Sequence, residues 1–264
     1  MKLDSYLSGF FLVGGSTLLS VLGLLVVRKL LHSKNLISSH DVGGYLLSVV
    51  GTVYAVILGL IVVDAMGKFQ EARQTTERES NALADVILLS NQLPAEQRTR
   101  VQTLALAYVD RVLEDEWPIL DHGRFAPSAR HAAIDLINAV TAFDPTTNKE
   151  QEIYAAEVAA LCEFWNCRRT RVNTAAHGLP ALEWFVLIVG GIITIAFTYF
   201  FKLEHLRIQI VMTVMVASII ALCLFLVLMF GYPYSGELKV DPSNFKVAEA
   251  IIAYHGGRPI TPGR

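Results

Sequence analysis

The chain has 264 residues, 53% of them hydrophobic and 17% charged, with a mean hydropathy of +0.45 and a formal net charge of −2. That is too apolar for an ordinary water-soluble domain, and no block is basic enough to hold a nucleic acid. The charges concentrate centrally: residues 64–179 carry 12 Lys and Arg against 17 Asp and Glu, the mildly acidic balance of a solvated helical domain.

Four runs without a formal charge explain the hydropathy: residues 6–27, 43–63, 184–201 and 208–230. About twenty residues at ~1.5 Å each cross a hydrocarbon core of ~30 Å, so the chain reads as an integral membrane protein. Lys2 is the only basic residue before the first run, which continues unbroken to Arg28 and Lys29. A secretory core is usually ~7–15 residues, so this run is read as a retained span. Its Gly9, Gly14, Gly15, Ser16, Ser20 and Gly23 are small enough for neighbouring helices to approach closely.

A short loop with Arg28, Lys29, His32 and Lys34 leads to the second run. There Gly44, Ser48, Gly51, Ala55 and Gly59 recur at steps of three and four, which places them on one narrow helix face. No proline and one glycine occur between residues 64 and 92, so the second helix is expected to continue into water. Pro94 ends it, since proline lacks an amide donor and clashes inside a helix. A helix restarts over 95–116 with Val101, Leu104, Ala105, Tyr108 and Val112 at helical spacing, and Trp117 and Pro118 are expected to close it.

Pro127 opens a short helix to about Ala142, and Asp144 with Pro145 makes a turn into a long helix bearing Ile153, Glu157, Leu161 and Phe164. The alternation that marks strands does not occur between residues 64 and 179. Gly178 and Pro180 mark the return to the membrane, and Trp184 suits the headgroup depth. Only residues 202–207 separate the last two runs, which forces an antiparallel hairpin. Tyr232, Pro233, Tyr234, Ser235 and Gly236 lead out to a short amphipathic helix around 245–254, and the last ten residues read as disordered.

The expected fold is therefore all-α: a first transmembrane hairpin at 1–63, a water-exposed helical domain at 64–179, a second hairpin at 180–230 and a tail at 231–264. Orientation stays open on charge alone. The short loops hold Arg28, Lys29, Lys34, Lys202 and Arg207, whereas Lys68, Arg73, Arg78, Arg168, Arg169 and Arg171 flank the spans on the domain side.

No His-Glu-x-x-His, Gly-x-Ser-x-Gly or phosphate loop is present, so the chain does not read as an enzyme and implies no cofactor. Cys162 and Cys167, five apart on a helix, do not share a face for metal or redox work, and Cys223 sits inside a span. Asp110, Glu114, Asp115 and Glu116 lack the glycine-bearing loop of a Ca²⁺ site and read as a solvated helix end. Arg168, Arg169 and Arg171 are candidates for anion or lipid-headgroup contact, or plain interface anchors. In the second span, Ser48, Thr52, Ala55 and Gly59 form a stripe open to two readings, a pore lining or a packing seam. With no formal charge at the centre of any span, a proton relay is disfavoured.

Three stretches together carry a resemblance: YVDRVLEDEW from Tyr108 to Trp117, GYPYSGELKVDP from Gly231 to Pro242, and FQEARQTTERESNALADV after the second span. With the layout of two spans, helical domain and two spans, the chain resembles the bacterial bestrophin-like family, distant relatives of the bestrophin anion channels. The resemblance implies a pentameric homo-oligomer in the bacterial inner membrane, with the domain and both termini cytoplasmic and the second span lining the pore. Membrane lipid and inorganic ions would then be its partners. Two departures limit it. Bestrophins narrow the pore with clustered Phe, whereas this span has none and offers Tyr45 and Tyr54 as constriction candidates; and too few carboxylates follow Gly236 for a calcium clasp. Two other functions remain open. One is a membrane sensor or scaffold whose helical domain binds a ligand or partner without conduction. The other is a stator-like subunit using Thr194, Thr198, Thr213 and Ser218.

Overall fold

Apolar runs without internal proline become long helices in the computed structural model, which describes residues 6–30, 40–200, 205–247 and 250–251. Among these residues the elements are α1 (Tyr6–Leu30), α2 (His40–Ser90), α3 (Ala95–Arg111), a π-helical turn (Val112–Glu116), α4 (Trp117–Leu120), α5 (Pro127–Thr141), α6 (Asn148–Ala176), α7 (Ala181–Tyr199), α8 (Leu206–Gly231) and a 3₁₀ turn (Pro242–Phe245). The fold is all-α, and α1, α2, α7 and α8 are long and apolar enough to cross a membrane. His32, Lys34, Lys202, the last ten residues and part of the expected tail helix lie outside the described residues.

The chain divides into two compact units: Met1–Lys68 with Leu179–Tyr232 and Gly236–Leu238, and Phe69–Gly178 with Pro233–Ser235 and Lys239–Arg264. In the first, the membrane unit, Tyr54, Leu58, Leu187, Ile220 and Val227 form the buried core. Small residues set the approach distances. Tyr54 lies against Gly190 and Gly191, where an added Cβ would overlap its ring, and its hydroxyl donates to the Leu187 carbonyl at 3.0 Å. Gly9 receives the Phe225 ring in the same way, and Gly23 faces Tyr199, whose hydroxyl donates to the Ser20 carbonyl at 2.8 Å. Many leucines of α1, such as Leu7, Leu18 and Leu19, stay exposed, as expected of a surface that meets lipid.

The second, helical unit packs Leu83, Val86 and Ile87 of α2 against Val101, Ala105, Tyr108 and Val109 of α3, Ala133 and Leu136 of α5, and Leu161 and Phe164 of α6. Burying such side chains contributes roughly 1.5–3 kcal/mol each. α6 opens with a capping box: the Thr147 hydroxyl accepts from the Glu150 amide at 3.2 Å, and Glu150 accepts from the Thr147 amide at 3.1 Å. Backbone hydrogen bonds, first from Thr146, hold the Glu150 carboxyl below its ordinary pKa. Gly123 ends the helical path after α4 at φ 66°, a left-handed conformation that suits glycine.

Two boundaries differ from the sequence expectation. The helix does not close at Trp117 and Pro118 but passes through the π turn into α4. Pro118 supplies no amide hydrogen and would press on the carbonyl four residues back, so the wider turn accommodates it without ending the rod. The tail is not a separate appendage either. Tyr234 and Val240 are buried with Ala72 and Leu120, and Phe245 enters the main core of the helical unit. The Tyr234 hydroxyl donates to the Ala72 carbonyl at 3.1 Å, and Val240 donates to the Pro233 carbonyl at 2.9 Å.

Candidate functional site

The small-residue stripe of α2 faces away from its own protomer. Ser48, Thr52, Ala55 and Gly59 are all exposed, and a Cβ added at Gly44, Gly51 or Gly59 would meet nothing within 4 Å. The face that α2 packs against its own bundle is a different one, made by Tyr54, Leu58 and Ala65. The packing seam within the protomer is thus not built from these glycines. Thr52 donates its hydroxyl proton back to the Ser48 carbonyl at 2.7 Å, so it turns acceptor lone pairs outward. The Ser48 hydroxyl has no partner among the described residues and keeps a donor available.

Of the two tyrosines considered for a constriction, Tyr45 is 78% exposed. Tyr54 is corrected: it is buried on Gly190 and Gly191 with its hydroxyl committed to Leu187, because the two glycines leave a slot that only a flat ring fills.

A second constellation lies in the helical unit. Glu79 from α2, Tyr108 from α3, Glu116 from the π turn, and Arg168 and Arg171 from α6 are brought together almost without solvent exposure. Arg171 forks onto Glu79, Nε to Oε2 at 2.6 Å and Nη2 to Oε1 at 3.0 Å, and Nη2 also reaches Glu116 Oε1 at 2.9 Å. Arg168 Nη2 donates to Glu116 Oε2 at 2.6 Å, an oxygen that also accepts from the Ala126 amide at 3.3 Å. Tyr108 donates to Glu79, while the Arg171 guanidinium lies 5.3 Å from the Trp117 ring centre and 5.7 Å from that of Phe245.

Two carboxylates and two guanidiniums make this centre neutral, which a buried site requires. Burial pushes the Tyr108 hydroxyl well above its ordinary pKa, with Glu79 adding to the shift, so it stays protonated and donates. Burial alone would lower the Arg171 pKa, but Glu79, followed by Tyr108, outweighs it and the net direction is upward.

This placement corrects the reading of the arginines. Arg171 is fully buried and Arg168 is 3% exposed, so Arg171 and most of Arg168 serve internal carboxylates; Arg169 is the exposed member. The reason is their spacing: 168 and 171 share the buried stripe of α6 with Leu161 and Phe164, whereas 169 falls outside it. The acidic run does not converge. Glu116 is buried on the arginines, Asp115 accepts from Ser128 at 2.6 Å, and Asp110 and Glu114 are exposed. No group of three or more metal-ligating side chains occurs among the described residues.

Sequence reasoning missed Glu79, and it did not assign Tyr108 or Glu116 to a buried centre. One signal for Glu79 was present: it continues the stripe of Ala72, Thr76 and Leu83 along α2, a charge at a position that should be apolar.

The sequence matches the Bestrophin-like domain family over residues 14–245. No curated protein matches the chain. Among solved structures, a point variant of a bacterial bestrophin homologue from Klebsiella pneumoniae aligns at a TM-score of 0.67 and 13% identity, covering 93% of this chain and 99% of that one. A crystal structure of that homologue phased with zinc aligns at 0.69 and 14% identity, covering 92% and 98%. A crystal structure described as a membrane protein aligns at 0.70 and 14% identity, covering 93% and 99%. At such identity the likeness concerns the fold.

Proposed function

The chain belongs to the bestrophin-like family, and from that premise we propose that it is a homo-oligomeric ion channel, passing anions, with α2 of each subunit lining the path. In this reading the helical unit forms a vestibule on the cytoplasmic side of a bacterial inner membrane, both termini are cytoplasmic, and the assembly is a pentamer, as the family resemblance implies.

The observation that carries the proposal is the exposed stripe of Ser48, Thr52, Ala55 and Gly59, which no side chain of its own bundle covers at the glycines. A stripe of hydroxyls and small residues facing a shared axis leaves room for water and offers polar contact to a partly dehydrated ion. The unpartnered Ser48 hydroxyl is the group on that stripe able to donate to an anion. Exposed Tyr45, lying one residue from Gly44, is the side chain suited to narrow the path.

Purified protein in liposomes is expected to release trapped chloride, and Ser48→Leu or Thr52→Leu is expected to suppress that flux. Undiminished flux in both variants would place the path elsewhere. A lipid-tight bundle with no flux at all would favour the sensor or scaffold reading.

A further inference from the structure

The helical unit carries an open groove of about 610 Å³, walled by Phe125 and Trp165 and edged by Arg130, Arg168, Arg169 and Asn173. We propose that this groove binds a small organic anion, a phosphate monoester or carboxylate joined to an apolar or aromatic body.

Two observations converge. First, no Asp or Glu lines the groove, and the side chains of Arg130 and Arg169 are exposed and have neither ion pair nor hydrogen bond among the described residues. Two uncompensated guanidiniums within one cleft repel each other, and an oxyanion between them relieves that repulsion through charge-assisted, forked hydrogen bonds. Second, the walls are largely apolar: Phe125 is 47% exposed and Trp165 is half-buried. A bare inorganic ion would leave those walls wet, whereas a ligand with an apolar body buries them. Asn173 adds an amide able to donate or accept at the same edge.

The same chemistry can come from a soluble metabolite or from a phosphate-bearing lipid headgroup, and the test separates them. The full chain is reconstituted in nanodiscs of pure phosphatidylcholine and titrated calorimetrically with 1-naphthyl phosphate. Saturable binding is expected there, with affinity falling about tenfold or more in Arg130→Gln and in Arg169→Gln. Because both arginines are exposed and unpartnered, unfolding temperatures are expected to stay unchanged, which separates lost binding from lost fold.

Inorganic phosphate is expected to compete weakly; equal affinity for both would overturn the role assigned to the apolar walls. In discs containing phosphatidic acid, retained naphthyl phosphate binding supports a soluble ligand, and loss of it supports a headgroup occupying the same groove. No binding in phosphatidylcholine, or binding indifferent to both substitutions, overturns the proposal. Binding is read without ion flux, so its failure and that of conduction are distinguishable.

Discussion

Glu157 shows what a single buried group can impose. It lies on the core stripe of α6, fully buried, with no partner on either carboxylate oxygen, and burial raises its pKa from the ordinary 4.5 to about 7. A folded-state pKa above the unfolded one means that the folded chain retains the extra proton between those values. Stability is therefore greatest at or below pH ~4.5 for this group and declines as pH rises to about 7, then levels off. The full effect is of order 3 kcal/mol. Glu157→Gln is expected to remove that slope and raise the unfolding midpoint at pH 8, measured by thermal unfolding in detergent across pH 5–8; an unchanged slope would exclude Glu157 as its source. Arg171 predicts the opposite kind of change. Arg171→Met leaves Glu79 and Glu116 with fewer partners in a dry interior, an expected loss of ~3–5 kcal/mol. Arg171→Lys is expected to recover little, because an ammonium cannot fork onto Glu79 while reaching Glu116. Full stability in the Lys variant would show that charge alone, not the guanidinium geometry, holds the centre.

At the level of elements, glycines of like composition have different roles according to which helix face they occupy. Gly190 of α7 receives the Tyr54 ring, so Gly190→Ala forces that ring out of its slot and is expected to destabilise the membrane unit by ~1–3 kcal/mol. Gly51 of α2 has open space around it in the protomer, so Gly51→Ala is expected to leave unfolding of the subunit unchanged while altering flux. Denaturation and liposome flux on the two variants check this contrast, and equal effects of both on stability would contradict it. The sequence grouped Gly44, Gly51 and Gly59 on one face correctly, because a helical period of 3.6 is a local property. It did not tell which face met the bundle, because that depends on Gly190 and Gly191, more than a hundred residues away. The helix starts after Pro94, at Pro127 and after Pro145 were legible for the same local reason, while the passage through Pro118 was not. Proline marks a disturbance of the ladder, and whether the chain stops or widens its turn is decided by what the next residues pack against.

Across the whole molecule, the four spans were readable from hydropathy, but the charge centre was not. Its members come from α2, α3, the π turn and α6, and no spacing rule joins Glu79 to Arg171 before the helices are packed. Orientation stayed open for a related reason: arginines at 168 and 171 that counted as flanking charges are neutralised internally and carry little weight at the membrane surface. The cysteines offer a direct test of the proposed cytoplasmic placement of the helical unit. Cys162 is exposed on α6, Cys167 is buried with its thiol pushed up to about 12, first by burial and then by Glu163, and Cys223 lies within α8. Thiolate is the reacting form, so Cys162 is the fast site on this unit. In intact cells a membrane-impermeant maleimide is expected to leave the protein unlabelled, and permeabilising the inner membrane is expected to admit one label that Cys162→Ser removes. Labelling of Cys162 before permeabilisation would put the helical unit outside, and with it the vestibule on the opposite side of the membrane.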